Sequence, residues 1–128
     1  FKPNLKELKE GMNIDFNYTE EFNKFELAVK ELRENIPHTI SLITLSEYGI
    51  YICNDKESAH VSAHKREITD VSGAGDTVIA VATLCLLANA SITEIAQIAN
   101  IAGGLVCEKP GVVSITIDEL KNEVLELL

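Results

Sequence analysis

No stretch of this sequence is apolar for long enough to cross a membrane. The longest apolar run, around Val78–Ala90, is interrupted by Thr83 and Asn89 and falls short of the roughly 20 residues a helical span needs. Basic residues are scarce: 11 Lys and Arg stand against 20 Asp and Glu, a formal net charge of −9. Such a surface repels phosphate backbones, so nucleic acid is not an expected partner. An anionic substrate would need local donors to overcome that field. The one basic trio, His64-Lys65-Arg66, reads as a solvated strand end. Cysteine is sparse too. Cys53, Cys85 and Cys107 lie far apart and form no CxxC pair or Cys/His grouping, which argues against zinc. They are expected to be reduced and buried in a cytoplasmic protein. Phe1-Lys2-Pro3-Asn4 lacks the basic, apolar and small-residue series of a secretory signal. No repeat, low-complexity segment or linker divides residues 1–128.

The apolar residues that are present, 46% of the chain, are periodic. Asn4 can cap a short helix over Leu5–Glu10 that stops at Gly11. Phe22, Phe25, Val29, Leu32 and Ile36 step by three and four, which predicts an amphipathic helix over about Thr19–Asn35. Thr39–Leu45 is rich in β-branched residues and reads as a buried strand. Gly49–Cys53 reads as a second strand, joined to the first by a tight Ser46-Glu47-Tyr48 turn, and Ala59–His64 as a third. Ala74–Ala88 is apolar nearly all round, which predicts a central, buried helix. Ser91-Ile-Thr-Glu94 and Thr116-Ile-Asp-Glu119 are capping boxes. The first starts a helix to about Cys107. The second starts a terminal helix with Ile117, Leu120, Val124 and Leu127 on one face. Strands followed by packed helices indicate an α/β layered fold.

Chemistry concentrates in Asp70-Val71-Ser72-Gly73-Ala74-Gly75-Asp76-Thr77. Small residues at a helix start expose backbone N–H groups, and the helix dipole adds positive potential, so the turn can hold an anion. Asp76 lies inside that first turn. Taken alone, an Asp there is more often only a helix stabiliser.

The octapeptide as a whole resembles the second signature of the ribokinase (PfkB) family of carbohydrate kinases, D-[TV]-[TS]-G-A-G-D-[TA]. That resemblance implies that Gly73, Ala74, Gly75 and the Asp76 amide steady the charge on a transferred phosphoryl group. It also implies that Asp76 takes the proton of the acceptor hydroxyl. Pro3-Asn4-Leu5-Lys6-Glu7 is similar to the family's N-x-x-E motif. It implies that Asn4, Leu5, Lys6 and Glu7 lie near the ATP phosphates, with Glu7 near magnesium. Thr44-Leu45-Ser46-Glu47-Tyr48-Gly49 resembles the nucleotide loop T-x-G-x-x-G, with Ser46 in place of the usual first Gly. The heptose-phosphate kinases similarly carry Ser-Glu there. Ala99-Asn100-Ile101-Ala102-Gly103-Gly104 resembles the A-N-x-A-A-G helix lining the adenine pocket, which implies contacts from Asn100 and Gly103. Lys109-Pro110-Gly111 follows as K-x-G does in the heptose kinases, although Val112-Val113 depart from the small hydroxyl residues expected next. Asp70 and Ser72 match part of the set that holds potassium in ribokinases, so K+ is expected beside ATP and Mg2+.

The resemblance runs from Pro3 to the terminal helix and covers the C-terminal half of a family-length kinase. It implies an α/β, ribokinase-like three-layer fold, of which residues 1–128 are the C-terminal part. It further implies an ATP-dependent phosphotransferase acting on a sugar or sugar phosphate hydroxyl, and a homodimer. Thr77-Val78-Ile79 favours the heptose 7-phosphate kinases of ADP-heptose and lipopolysaccharide precursor synthesis, since ribokinases and fructokinases more often place Ala-Phe or Thr-Phe there. A kinase of another sugar or a nucleoside, and a non-catalytic nucleotide-binding module, stay open as alternatives. By itself the chain is expected not to phosphorylate a sugar, because the sugar-binding strands and lid lie in the other half. It is also expected to associate through the unpaired edge of its strand near Thr39–Leu45.

Overall fold

The computed structural model describes the whole chain, Phe1–Leu128. Three short strands, β1 (Ser41–Thr44), β2 (Ile50–Cys53) and β3 (Ser58–Val61), form an antiparallel sheet in that order. Five helices surround it: α1 (Leu5–Met12), α2 (Phe22–Asn35), α3 (Ala74–Leu87), α4 (Ile92–Cys107) and α5 (Ile117–Leu127).

Strand periodicity divides the core in two. Ile43, Leu45, Tyr51 and Cys53 point to one face and pack with Leu8, Phe16, Phe25, Val29 and Leu32 of the α1–α2 side. Leu42, Ile50 and Ile52 point to the other and pack with Val78 of α3 and Ile92, Ile95, Ala96 and Ala99 of α4. A helix layer on each face makes three layers. Phe25 is central to the first core, with its ring edge-on to Tyr18 and to Tyr51 at 5.0 Å each. Ser41 is the one buried polar residue. Its hydroxyl accepts from Arg33 at 2.8 Å and lies 2.6 Å from His38 Nε2, so its burial is compensated.

Several sequence expectations need correction. β1 is not the sheet edge. Phe1–Asn4 runs parallel beside it: the Phe1 amino group donates to Ile40 O, Leu42 N–H to Phe1 O and Thr44 N–H to Pro3 O. The open edge therefore lies one segment further out, at Lys2, whose N–H and C=O make no backbone bond. Helix α1 passes through Gly11 and is closed by Asn13, which takes the left-handed conformation at φ 52°. Helix α2 starts at Phe22 rather than Thr19, because Asn17 Oδ1 accepts from the amides of Thr19 and Glu20 and folds that stretch into a turn. β3 ends at Val61, and residues 62–73 have no regular structure.

The largest correction concerns α3. It buries only Val78, while Leu84 and Leu87 are 66% and 75% exposed and Ile79 and Leu86 are also open. Within this chain α3 packs chiefly on α4, so an apolar circumference does not become a buried one. The terminal helix likewise buries no residue, and Ile117 is 81% exposed. Cys53 and Cys107 are buried, but Cys85, on α3, is only partly so. The basic trio is not all solvated either. The Arg66 side chain is 6% exposed and ion-paired.

Candidate functional site

Three segments far apart in sequence meet where the Phe1–Asn4 segment and β1 end. Asn4 bridges to Thr44 in parallel register, which joins the Pro3–Glu7 and Thr44–Gly49 segments. A methyl group added at Gly75 would lie 3.4 Å from Lys2 Nζ, which brings in the α3 turn. Ligands of open α/β sheets bind at the carboxyl ends of parallel strands.

Gly73 starts α3 at φ 77°, a conformation glycine takes without a Cβ penalty. Ala74 N–H reaches back to Val71 O at a long 3.3 Å, and Thr77 N–H bonds Gly73 O. The amides of Gly73, Gly75 and Asp76 bond no backbone carbonyl. Asp76 is exposed in the same turn, so unpaired donors and a free carboxylate stand side by side. Lys2 adds an ammonium that pairs with no carboxylate. Sequence reasoning passed over Lys2, since its approach to Gly75 depends on the pairing of Phe1–Asn4 with β1.

Asp70 is tied down. Its carboxylate accepts from the Ser72 amide at 2.9 Å and the Gly111 amide at 3.1 Å. The Ser72 hydroxyl and amide, then the Gly111 amide, hold its carboxyl below the usual range. Asp70 thus staples the turn before α3 to the 109–112 loop, and Val112 hangs over Gly73, 3.2 Å from where a Cβ would be.

Asn4 and Glu7 form a reciprocal capping box: each side chain accepts the other's amide at 2.8 Å. Leu5 is partly buried and Lys6 exposed beside them. Thr44 and Ser46 flank Leu45 on the loop, and Ser46 sits at φ 53°, a left-handed conformation that glycine would take more easily. Gly49 is required by space, since a Cβ there would be 2.0 Å from Val61 O. Asn100 donates its side-chain N–H to Ser62 O at 2.9 Å. Gly103 admits α3 to α4, because a Cβ would meet Val78 at 2.8 Å. Asn4 thus stands beside Thr44, and Lys2 of the same segment reaches Gly75, while Asn100 and Gly103 hold the fold.

No group of three or more His, Cys, Asp or Glu side chains is placed to hold a metal. Magnesium at a nucleotide needs less, one or two carboxylates beside the phosphates, and Glu7 is an exposed carboxylate with one oxygen on the Asn4 amide. Two surface depressions lie elsewhere, one along Lys30, Arg33, Asp55 and Glu57 and another along Lys9, Asp15 and Tyr18. Both are open and shallow, and neither includes the α3 turn.

The pfkB family carbohydrate kinase pattern matches residues 1–119. The chain belongs to the PfkB family of carbohydrate kinases. This PfkB chain is 41% identical over 92% of its length to the bifunctional protein HldE of Aliarcobacter butzleri, of which it covers 24%. It is 39% identical over 94% of its length to HldE of Campylobacter concisus, of which it covers 25%. It spans about a quarter of these curated relatives. Phosphofructokinase-2 of Escherichia coli, in complex with potassium, superposes with a TM-score of 0.86 at 22% identity, over 98% of this chain and 40% of that one. A putative ribokinase II of Escherichia coli, in complex with ATP and Mg2+, superposes with a TM-score of 0.83 at 18% identity, over 98% and 38%. The fold is ribokinase-like.

Proposed function

We propose that this PfkB chain is the nucleotide-binding and catalytic-base part of a sugar kinase domain, and that the kinase phosphorylates a heptose 7-phosphate. The observation that supports it most is the α3 turn, where the free amides of Gly73, Gly75 and Asp76 adjoin the exposed Asp76 carboxylate. The amides and the Lys2 ammonium suit the γ-phosphoryl group of ATP. Asp76 takes the acceptor hydroxyl proton as that oxygen bonds to phosphorus. The β–γ P–O bond breaks and ADP leaves. Positioning and electrostatics supply most of such a transfer. Asn4, Leu5, Lys6 and Glu7 lie toward the phosphates, and Thr44, Ser46, Gly49, Asn100 and Gly103 toward the nucleoside. Glu7 would hold Mg2+, which when bound neutralises phosphate charge. Asp70 and Ser72 are the residues toward a K+ ion. The heptose assignment rests on likeness to the HldE proteins and on Thr77-Val78-Ile79.

The test grafts residues 1–128 in place of the matching segment of Aliarcobacter butzleri HldE. ADP release is then measured with heptose 7-phosphate, ribose, fructose and a nucleoside. Turnover above that of a graft carrying Asp76→Asn is expected with heptose 7-phosphate, since residues 1–128 supply the anion turn and the base while the acceptor site comes from the HldE half. ATP binding without phosphorylation of any acceptor would make the chain a binding module instead.

A further inference from the structure

We propose that Arg66 is a positioning residue for the phosphoryl-transfer turn, an inference that rests on the function proposed above. Residues 62–70 have no regular structure, yet they run along one face of α4 and are fastened to it at successive turns. Asn100 donates to Ser62 O at 2.9 Å, and Cys107 O accepts from both Thr69 N–H at 2.8 Å and Asp70 N–H at 3.1 Å. Between them Arg66 lies flat over Gly104, so close that a Cβ at 104 would sit 2.5 Å from Nε and 2.9 Å from Cδ. Positions 100, 104 and 107 step by four and three, one face of a helix. Asp70 then carries the fastening forward, from Cys107 O through its carboxylate to the amides of Ser72, which precedes Gly73, and of Gly111, whose neighbour Val112 overhangs Gly73.

The middle fastening is the charged one. Arg66 reaches Glu108 at 2.9 Å through one guanidinium nitrogen and Glu123 of α5 at 2.8 Å through the other. The Glu123 contact is short but off the N–H axis, leaving that nitrogen without a hydrogen bond, so it acts as an ion pair. A planar fork fixes the directions of two carboxylates at once, whereas an ammonium's rotatable donors do not. A side chain this buried is also costly to strand, since removing one partner leaves an uncompensated charge. Arg66 therefore locks the linker to α4 and α5 together. Losing it leaves residues 63–68 attached only at their ends, and the amides at 73–76 lose the fixed geometry that stabilising a developing charge requires.

Two readouts test this. The first is amide hydrogen exchange of the chain as it stands, wild type against Arg66→Gln. Protection of the Ser72 and Gly111 amides is expected to fall at least about tenfold, with Ile43 and Phe25 in the α2 core unchanged. The second is kinetics in the grafted kinase. There kcat is expected to fall by about 10- to 100-fold, the scale of a small misplacement of reacting groups, with the ATP KM moving less than about threefold. Gly104→Ala, which evicts the guanidinium without touching its charge, should give the same pattern, and Arg66→Lys should recover only part of it. Unchanged Ser72 and Gly111 protection, or a uniform loss across the whole chain, overturns the proposal, as does a kcat within twofold of wild type. If the wild-type graft transfers no phosphoryl group at all, the function proposed above is what fails, and the exchange pattern alone decides the place of Arg66.

Discussion

On one face of the sheet Phe25 and Ile43 are wholly buried between α2 and β1, whereas on the other α3 buries Val78 alone and leaves Leu84, Leu86 and Leu87 open. The first side closes on itself with aromatic and aliphatic side chains from within 50 residues of each other. The second side has an apolar core under α4 and adds to it glycines that let α3 and Arg66 onto α4, and polar ties from Asp70, Asn100 and Arg66. The proposed catalytic turn belongs to this second side. Core mutations on the α1–α2 side should therefore change stability, and mutations around the turn should change activity with little change in stability.

The largest loss of stability is expected from Gly49→Ala, in the sheet that both faces share. The new Cβ would be driven into Val61 O at a φ of 93°, so backbone and not only a side chain must move. A loss of about 4 kcal/mol or more is expected, read as a fall in the denaturant midpoint, and an ordinary loss near 1 kcal/mol would mean that β3 yields. Phe25→Ala against Leu87→Ala measures the contrast directly. The first should cost about 3–5 kcal/mol, as for other buried phenylalanines. The second should stay within about 0.5 kcal/mol in this chain and rise to about 2–5 kcal/mol in the grafted kinase if the added residues cover α3. Equal costs in the isolated chain would erase the distinction between the two faces.

The smallest effect concerns α5. Lys109, then the Thr116 amide, hold the Glu119 carboxyl down at about 2, against an ordinary 4.5. A carboxyl lowered on folding stabilises the folded state above its unfolded value, and that contribution is lost as pH falls through the folded value. The advantage of wild type over Glu119→Gln should therefore be constant above about pH 4.5 and vanish near pH 2. A difference independent of pH across that window would mean that the Lys109 pair contributes nothing through charge.

What the sequence disclosed and what it hid divide along the same line. The Asn4 cap and the capping boxes at Ser91/Glu94 and Thr116/Glu119 are formed, because a cap is decided within four residues. β1 and β2 were legible as short apolar runs rich in β-branched residues, as was the start of α3 at its small-residue turn. Exposure of α3 was not, since an apolar circumference says what a helix can bury and not what stands next to it. Pairing of Phe1–Asn4 with β1 was hidden by a segment too short to show a period and interrupted by Pro3. Arg66 looked like one member of a solvated basic trio because the space that receives it is made by Gly104, 38 residues away, and its partners come from α4 and α5. The left-handed cap at Asn13 was missed because Gly11, two residues earlier, offered the more usual stop.

The most direct test of the central claim is Asp76→Asn in the grafted kinase, with phosphoryl transfer and ATP affinity measured on the same preparation. Asp76 is exposed and bonds no other side chain, so the substitution should leave folding intact. Removing a general base should lower kcat by about 10²- to 10⁴-fold while ATP binds as before. An Asp76→Asn enzyme with near-normal kcat would contradict the account, because the carboxylate beside the free amides would then have no part in the transfer.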